Sequence, residues 1–282
     1  MRWRTSRRSN NIEDRRGGVG TPAKVGGVGL ILMLVVAWLM GADTMQLLGM
    51  AGNNLLGGGN TAVVERSAAE QEDAEFVSAV VAQTEDIWNP MFRSSGARYQ
   101  EPKLVLFTDQ IESACGYASA ATGPFYCPAD AKVYIDLGFF HELKKLGAPG
   151  DFARAYVIGH EIAHHVQNQL GTSDKVSRLQ TQVSERDSNA LSVLLELQAD
   201  CYAGVWAHHA QKQFSIFEQG DIEEGLQAAA SIGDDRLQRM SGHRVNPDAF
   251  THGTSDQRVK WFKTGLQFGD MQRCDTFASL RQ

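Results

Sequence analysis

Residues Val157 to Gly171 read VIGHEIAHHVQNQLG. His160 and His164 stand four apart, which on a helix puts both imidazoles on one face about a turn apart. The flanks support a helix: Asp151 is placed to cap its start and Gly171 to end it. Phe152, Tyr156, Ile162, Val166 and Leu170 supply apolar packing positions between them. A pair of imidazoles held this way suits zinc, which takes nitrogen ligands at about 2.0–2.1 Å without bending the backbone. Glu161, beside the first histidine, can take a proton from a water activated at such a centre. The chain must then build a core around this helix and bring a third ligand to it from elsewhere.

A third histidine six residues past His164 is ruled out, because Gln167 and Leu170 occupy the positions where that pattern needs Gly and His. A carboxylate from a second helix is the next solution. The stretch RDSNALSVLLELQADCYAGVWAHHA, 186–210, has no proline and many apolar residues, and Glu196 and Asp200 share one of its faces. Helical carboxylates are usually solvated, but these two stand among Leu194, Leu195, Leu197, Ala199, Cys201 and Tyr202. Half-buried acids require a partner. We assign Glu196 as the third zinc ligand and Asp200 as the acceptor for the outward N–H of a ligand histidine, His160. His165, His208 and His209 lack ligand-like spacing and read as packing or surface residues.

The 282 residues suffice for one large domain or two small ones. Residues 1–24 carry seven basic side chains against two acidic, so the rest is more acidic than the overall net charge of −6. An acidic body argues against nucleic-acid binding. Val25 to Ala42 contains no charge and is long enough to span a bilayer. Its apolar core exceeds that of a usual signal peptide, the rival reading. The expectation is a single-pass membrane protein with residues 1–24 as a basic cytoplasmic head and 25–42 as the transmembrane helix. A Gly- and Asn-rich tether, 43–64, then leads to an extracytoplasmic, periplasmic domain at 65–282. Four cysteines allow three disulfide connectivities. Cys115 and Cys127 flank a short Gly-containing segment suited to closing a hairpin, which leaves Cys201 with Cys274; four reduced buried thiols are the alternative. The fold class is α+β and mainly helical. A helix beginning near Glu65 should end at Pro90, and KLVLFTD and KVYIDLGFF have strand composition.

GHEIAHHVQ followed by ELQAD resembles the gluzincin metallopeptidases, and more closely the bacterial neutral zinc metallopeptidases with an N-terminal membrane anchor. NNIEDRRG, ACGYASAATGPFYCPADAKVYIDLGFF and FTHGTSDQRVKWFKTG extend the resemblance over most of the chain. It implies a zincin-like endopeptidase domain with a three-stranded sheet over the active helix. His160, His164 and Glu196 would bind zinc, and Glu161 would be the general base acting on a peptide or protein substrate. His252, in Thr251-His252-Gly253, would donate to the oxyanion, and Arg258 would anchor that loop to a carboxylate. Gly253 stands where relatives carry proline. YCPADAKVYID is expected as the edge strand along which an extended peptide adds. A zinc-binding adaptor without turnover and a zinc hydrolase of a non-protein amide are the rival functions. Oligomeric state has no signal in the sequence.

Overall fold

Two long helices carry the two carboxylate and histidine patterns, and the rest of the chain holds them against each other. The computed structural model describes residues 1–17, 66–242 and 244–281. β1 (Ile12–Asp14), β2 (Lys103–Phe107), β5 (Phe125–Cys127) and β6 (Lys132–Asp136) form a sheet in the order β1-β2-β6-β5. β2 is parallel to β1 and β6, while β5 runs antiparallel to β6. β3 (Gln110–Ser113) and β4 (Gly116–Ser119) make a separate hairpin. The expected three-stranded sheet thus has four strands. The expected edge strand is also divided: residues 132–136 lie inside the sheet and Phe125–Cys127 forms the edge. The chain reverses between them at Ala131, whose φ is 55°, with Asp130 accepting from the Lys132 N–H at 3.2 Å.

Helices α1 (Ala68–Ser94), α2 (Phe139–Lys145), α3 (Asp151–Gln169), α4 (Thr172–Gln180), α5 (Glu185–Phe214), α6 (Asp221–Ser231), α7 (Asp234–Met240) and α8 (Ser255–Phe268) complete the architecture. α1 runs through Pro90 instead of ending there. So close to the C-terminal end, a proline removes one backbone donor while the rest of the last turn still closes. α3 is capped by Gly150 and begins at Asp151, and Gly171 takes the left-handed conformation after its last turn. Phe152, Tyr156, Ile162 and Val166 are buried as expected, but Leu170 is exposed at the helix end. α5 and α8 cross closely: a Cβ on Gly265 would lie 1.9 Å from the Cys201 carbonyl oxygen, and one on Gly204 2.3 Å from that of Phe262. The two helices run side by side, and Arg258 near the start of α8 reaches Asp200 in the middle of α5. Both disulfides form as paired above, Cys115–Cys127 and Cys201–Cys274.

The basic N-terminal residues pack into the fold. Met1–Arg16 belongs to the same compact unit as Ala68–Gln282. β1 pairs with β2 in the register Ile12↔Leu104, and the Arg2 N–H donates to the Ile216 carbonyl at 2.8 Å. Trp3 is buried with its ring edge-on to Phe76. The arginines meet acids of α1: Arg4 pairs with Glu72, and Arg7 lies 2.7 Å from both Glu85 and Asp86. Residues 12–14 are thus a strand of the same sheet as 103–107 and 132–136. The run Val25–Ala42 and the tether 43–64 lie outside the described residues. Among the described residues no helix is long and apolar enough to cross a membrane.

Candidate metal centre

α3 presents His160, Glu161 and His164, and α5 presents Glu196 and Asp200. The start of α5 is fixed by Ser184, whose side chain accepts from the Asp187 N–H at 3.2 Å. His160 Nε2 lies 3.1 Å from His164 Nε2 and 3.0 Å from Glu196 Oε2, and His164 Nε2 lies 3.3 Å from Glu196 Oε1. Donor atoms this close need a cation or a ring proton between them. Bonds of about 2.0–2.1 Å at tetrahedral angles would space them by about 3.3 Å. The donor set, two imidazoles and a carboxylate, fits a zinc site that keeps one position open.

Behind the donors is a buried network. His160 Nδ1 donates to Asp200 Oδ1 at 2.9 Å, which in the neutral ring leaves the Nε2 lone pair facing the cluster. Tyr156 donates its hydroxyl to the same oxygen. Arg258 reaches Asp200 with Nε at 2.8 Å on Oδ2 and Nη2 at 2.9 Å on Oδ1. Both Asp200 and Arg258 are inaccessible to solvent, at 0% and 1% exposure, so neither charge would be tolerable alone. Burial works to raise the Asp200 pKa, but Arg258 and His160 hold it below the ordinary value. Burial likewise opposes a charge on His160, yet Asp200 and Glu196 prevail and push its pKa up to about 10. The carboxylates of Glu196 and Asp200, 3.0 and 2.9 Å from the two His160 ring nitrogens, supply the negative charge that a cation at this place needs.

Glu161 is buried and makes no ion pair or side-chain hydrogen bond among the described residues. That leaves its carboxylate uncommitted, unlike those of Glu196 and Asp200. His252 is half-exposed and its Nδ1 lies 3.2 Å from Asp234 Oδ1. Asp234 Oδ2 accepts from the backbone N–H groups of Thr251, His252 and Gly253 at 2.8, 2.6 and 3.0 Å, so one carboxylate shapes the whole loop. Gly253 has a φ of 88°, which proline cannot adopt, and it packs beside Val193 and Leu197 of α5. The Asp234 bond, with Glu196 adding to it, raises the His252 pKa above the usual value against the effect of burial. The structure brings His160, His164 and Glu196 together. It joins Asp200 and Arg258 directly behind them and leaves His252 at the rim, in contact with Asp234.

The sequence of the whole chain matches, over residues 1–277, the profile of the family described as "Putative neutral zinc metallopeptidase". The chain belongs to that family. It is 48% identical to the uncharacterized protein YpfJ of Escherichia coli strain K12, over 98% of this chain and 99% of that protein. It is 42% identical to the uncharacterized protein Rv2575 of Mycobacterium tuberculosis strain H37Rv, over 68% of this chain and 67% of that protein. No solved structure matches the chain.

Several contributors were not singled out from sequence. Tyr156 read as a packing residue, although it lies four positions before His160 and so on the same face. Asp234 had no local signal, because its partners lie seventeen to nineteen residues away in a loop. Tyr126, on the edge strand, donates its hydroxyl to His165 Nδ1 and accepts from Asn168 Nδ2, each at 3.0 Å. These contacts hold β5, whose outer edge is unpaired among the described residues, alongside the helix that carries His164.

Proposed function

We propose that the chain is a zinc-dependent endopeptidase acting outside the cytoplasm. The observation that carries this reading is the convergence of His160, His164 and Glu196 beside an uncommitted Glu161. His160 Nε2, His164 Nε2 and a Glu196 oxygen would hold the ion. The chemistry such an ion supplies is that of a Lewis acid, with water acidified toward neutrality and a polarised carbonyl. Glu161 takes the proton of the attacking water and returns it to the leaving amine. Asp200 holds the His160 ring, and Arg258 neutralises Asp200. His252, whose protonated form Asp234 favours, donates to the oxygen on which charge develops. The outer edge of β5, unpaired among the described residues, supports a peptide substrate, because an extended chain can add there through main-chain hydrogen bonds.

The two disulfides support an oxidising compartment. Attachment to the membrane would come from Val25–Ala42, with residues 1–16 on the same face as the body. A cysteine introduced at Ser6 should therefore be labelled by a membrane-impermeant maleimide in intact spheroplasts. Protection of that cysteine, with the body accessible, would refute this topology.

The function is tested on the full chain in detergent, loaded with zinc and offered a diverse peptide library beside its Glu161→Gln variant. Cuts made by the wild type and reduced by about 10²–10⁴-fold in the variant, at equal zinc content, are expected. Zinc-loaded protein that cuts no peptide but hydrolyses a cell-wall amide would favour the non-protein hydrolase. Zinc-loaded protein that does neither would favour the adaptor.

A further inference from the structure

Each histidine of the centre turns a second ring nitrogen away from it. The outward nitrogen of His160 meets a carboxylate. That of His164 meets a neutral amide: Nδ1 lies 2.9 Å from Gln167 Oε1, and Gln167 is fully buried. An amide's oxygen and nitrogen are assigned from their partners, and here the partners decide. One end of Gln167 lies 2.7 Å from the carbonyl oxygen of Leu195, which can only accept, so that end is the NH2 group. Its other acceptor is Gln198 Oε1 at 3.1 Å. Gln198 is oriented in the same way, because its Nε2 lies 3.1 Å from the Cys274 carbonyl oxygen. Gln167 Oε1 must therefore face His164 and Nδ1 must carry a proton, which in the neutral ring leaves the Nε2 lone pair facing Glu196.

The chain of bonds also ties the two donor helices together. Leu195 immediately precedes Glu196, so Gln167 clamps α3 to α5 at the third ligand. At its far end, Cys274 is linked by a disulfide to Cys201, the residue after Asp200.

We propose that Gln167 is a positioning residue for His164, held in register by Gln198 and by the Cys201–Cys274 bridge, and that the centre's metal affinity depends on this relay. The inference rests on the proposed zinc site and deepens it. Removing an outer partner of a metal-ligating histidine typically weakens binding by about 10- to 100-fold.

The test is zinc affinity of the full chain, read by competition with a chromophoric chelator, together with the His164 tautomer read from long-range ¹H–¹⁵N correlations. Gln167→Met keeps the side-chain length and removes both donor and acceptor. It should weaken zinc binding by about 10- to 100-fold and release the His164 tautomer while leaving that of His160 fixed. Gln167→Glu restores the acceptor for Nδ1–H and should recover the tautomer and part of the affinity. Gln198→Met, which does not touch His164, should weaken binding less, in the same direction. Replacing Cys201 and Cys274 together by alanine should do likewise. Wild type that binds zinc while Gln167→Met binds it equally well, with an unchanged His164 tautomer, would overturn the relay alone. Wild type that binds no zinc would overturn the metal site and the relay with it.

Discussion

The candidate metal centre and the N-terminal segment are both built from residues far apart in the chain, yet only one of them is visible in the sequence. The centre is made of two i, i+4 pairs, His160 with His164 and Glu196 with Asp200, each carried by a long helix. Helical periodicity writes such pairs into adjacent residues, so each half can be read locally and only the meeting of the halves must be inferred. The N-terminal segment contributes a three-residue strand, Ile12–Asp14, whose partner lies about ninety residues away. A strand that short has no period to detect. Its surrounding arginines carry a charge signal, but that signal has two solutions. Retention in the cytoplasm is one, and an acidic helix face is the other. α1 supplies that face with Glu72, Glu75, Glu85 and Asp86.

The sharpest way to break this comparison is to delete residues 1–16. Deletion bares the edge of β2 and uncovers Phe76 and the wall that Trp3 fills. Loss of one buried Trp alone costs about 3–5 kcal/mol, a large part of the roughly 5–15 kcal/mol that holds a typical domain folded. We expect the truncated chain to be insoluble or to unfold at far lower urea than the full chain. Equal unfolding midpoints would show that the N-terminal segment decorates the fold without supporting it.

Asp200→Asn probes the other region. It leaves Arg258 buried with its bidentate partner neutralised and Tyr156 competing for what remains. Breaking a buried pair from one side costs about 3–5 kcal/mol, and zinc affinity should fall as the His160 tautomer is freed. Chemical denaturation and chelator competition measure the two losses separately. Unaltered stability would mean that Glu196, 3.8 Å from Arg258, takes over the charge.

The same distinction explains what else could be read in advance. Both donor helices, the ligand set, the Asp200 contact to His160 and the two disulfide pairs follow from spacing, apolar context or family resemblance, and the structure contains each pairing. What was missed depends on tertiary proximity. Tyr156 was assigned to packing because its ring is apolar, although its hydroxyl sits under Asp200. Gln167 served only to exclude another ligand pattern, since an amide announces its role through partners that here come from α5. Leu170 fits the apolar period of α3 but lies at a helix end where the core has stopped. Gly253 poses a conformational question that a residue name cannot answer; its φ of 88° does.

The smallest expected effect lies at the rim, where loop and centre meet. The folded-state pKa of His252 is raised by Asp234, and that of Asp234 is lowered because hydrogen bonds from His252 and the loop outweigh burial. A raised histidine pKa contributes stability that is complete below the unfolded value and lost as pH climbs through the folded one. A lowered aspartate pKa contributes stability present above its unfolded value and lost as pH falls through the folded one. The pair should therefore matter most between the reference values of 3.8 and 6.5 and fade in alkali. Half the His252 side chain is in solvent, so the difference between wild type and His252→Ala should stay below about 1 kcal/mol. Thermal melts of both proteins from pH 4 to 10 measure it. Turnover should separate from stability: if His252 donates to the reacting oxygen, the variant loses rate by far more than it loses stability, and its activity no longer declines at the pH where His252 deprotonates. A variant that keeps wild-type turnover and pH profile would confine His252 to shaping the loop and leave Glu161 as the sole protein group moving protons in the reaction.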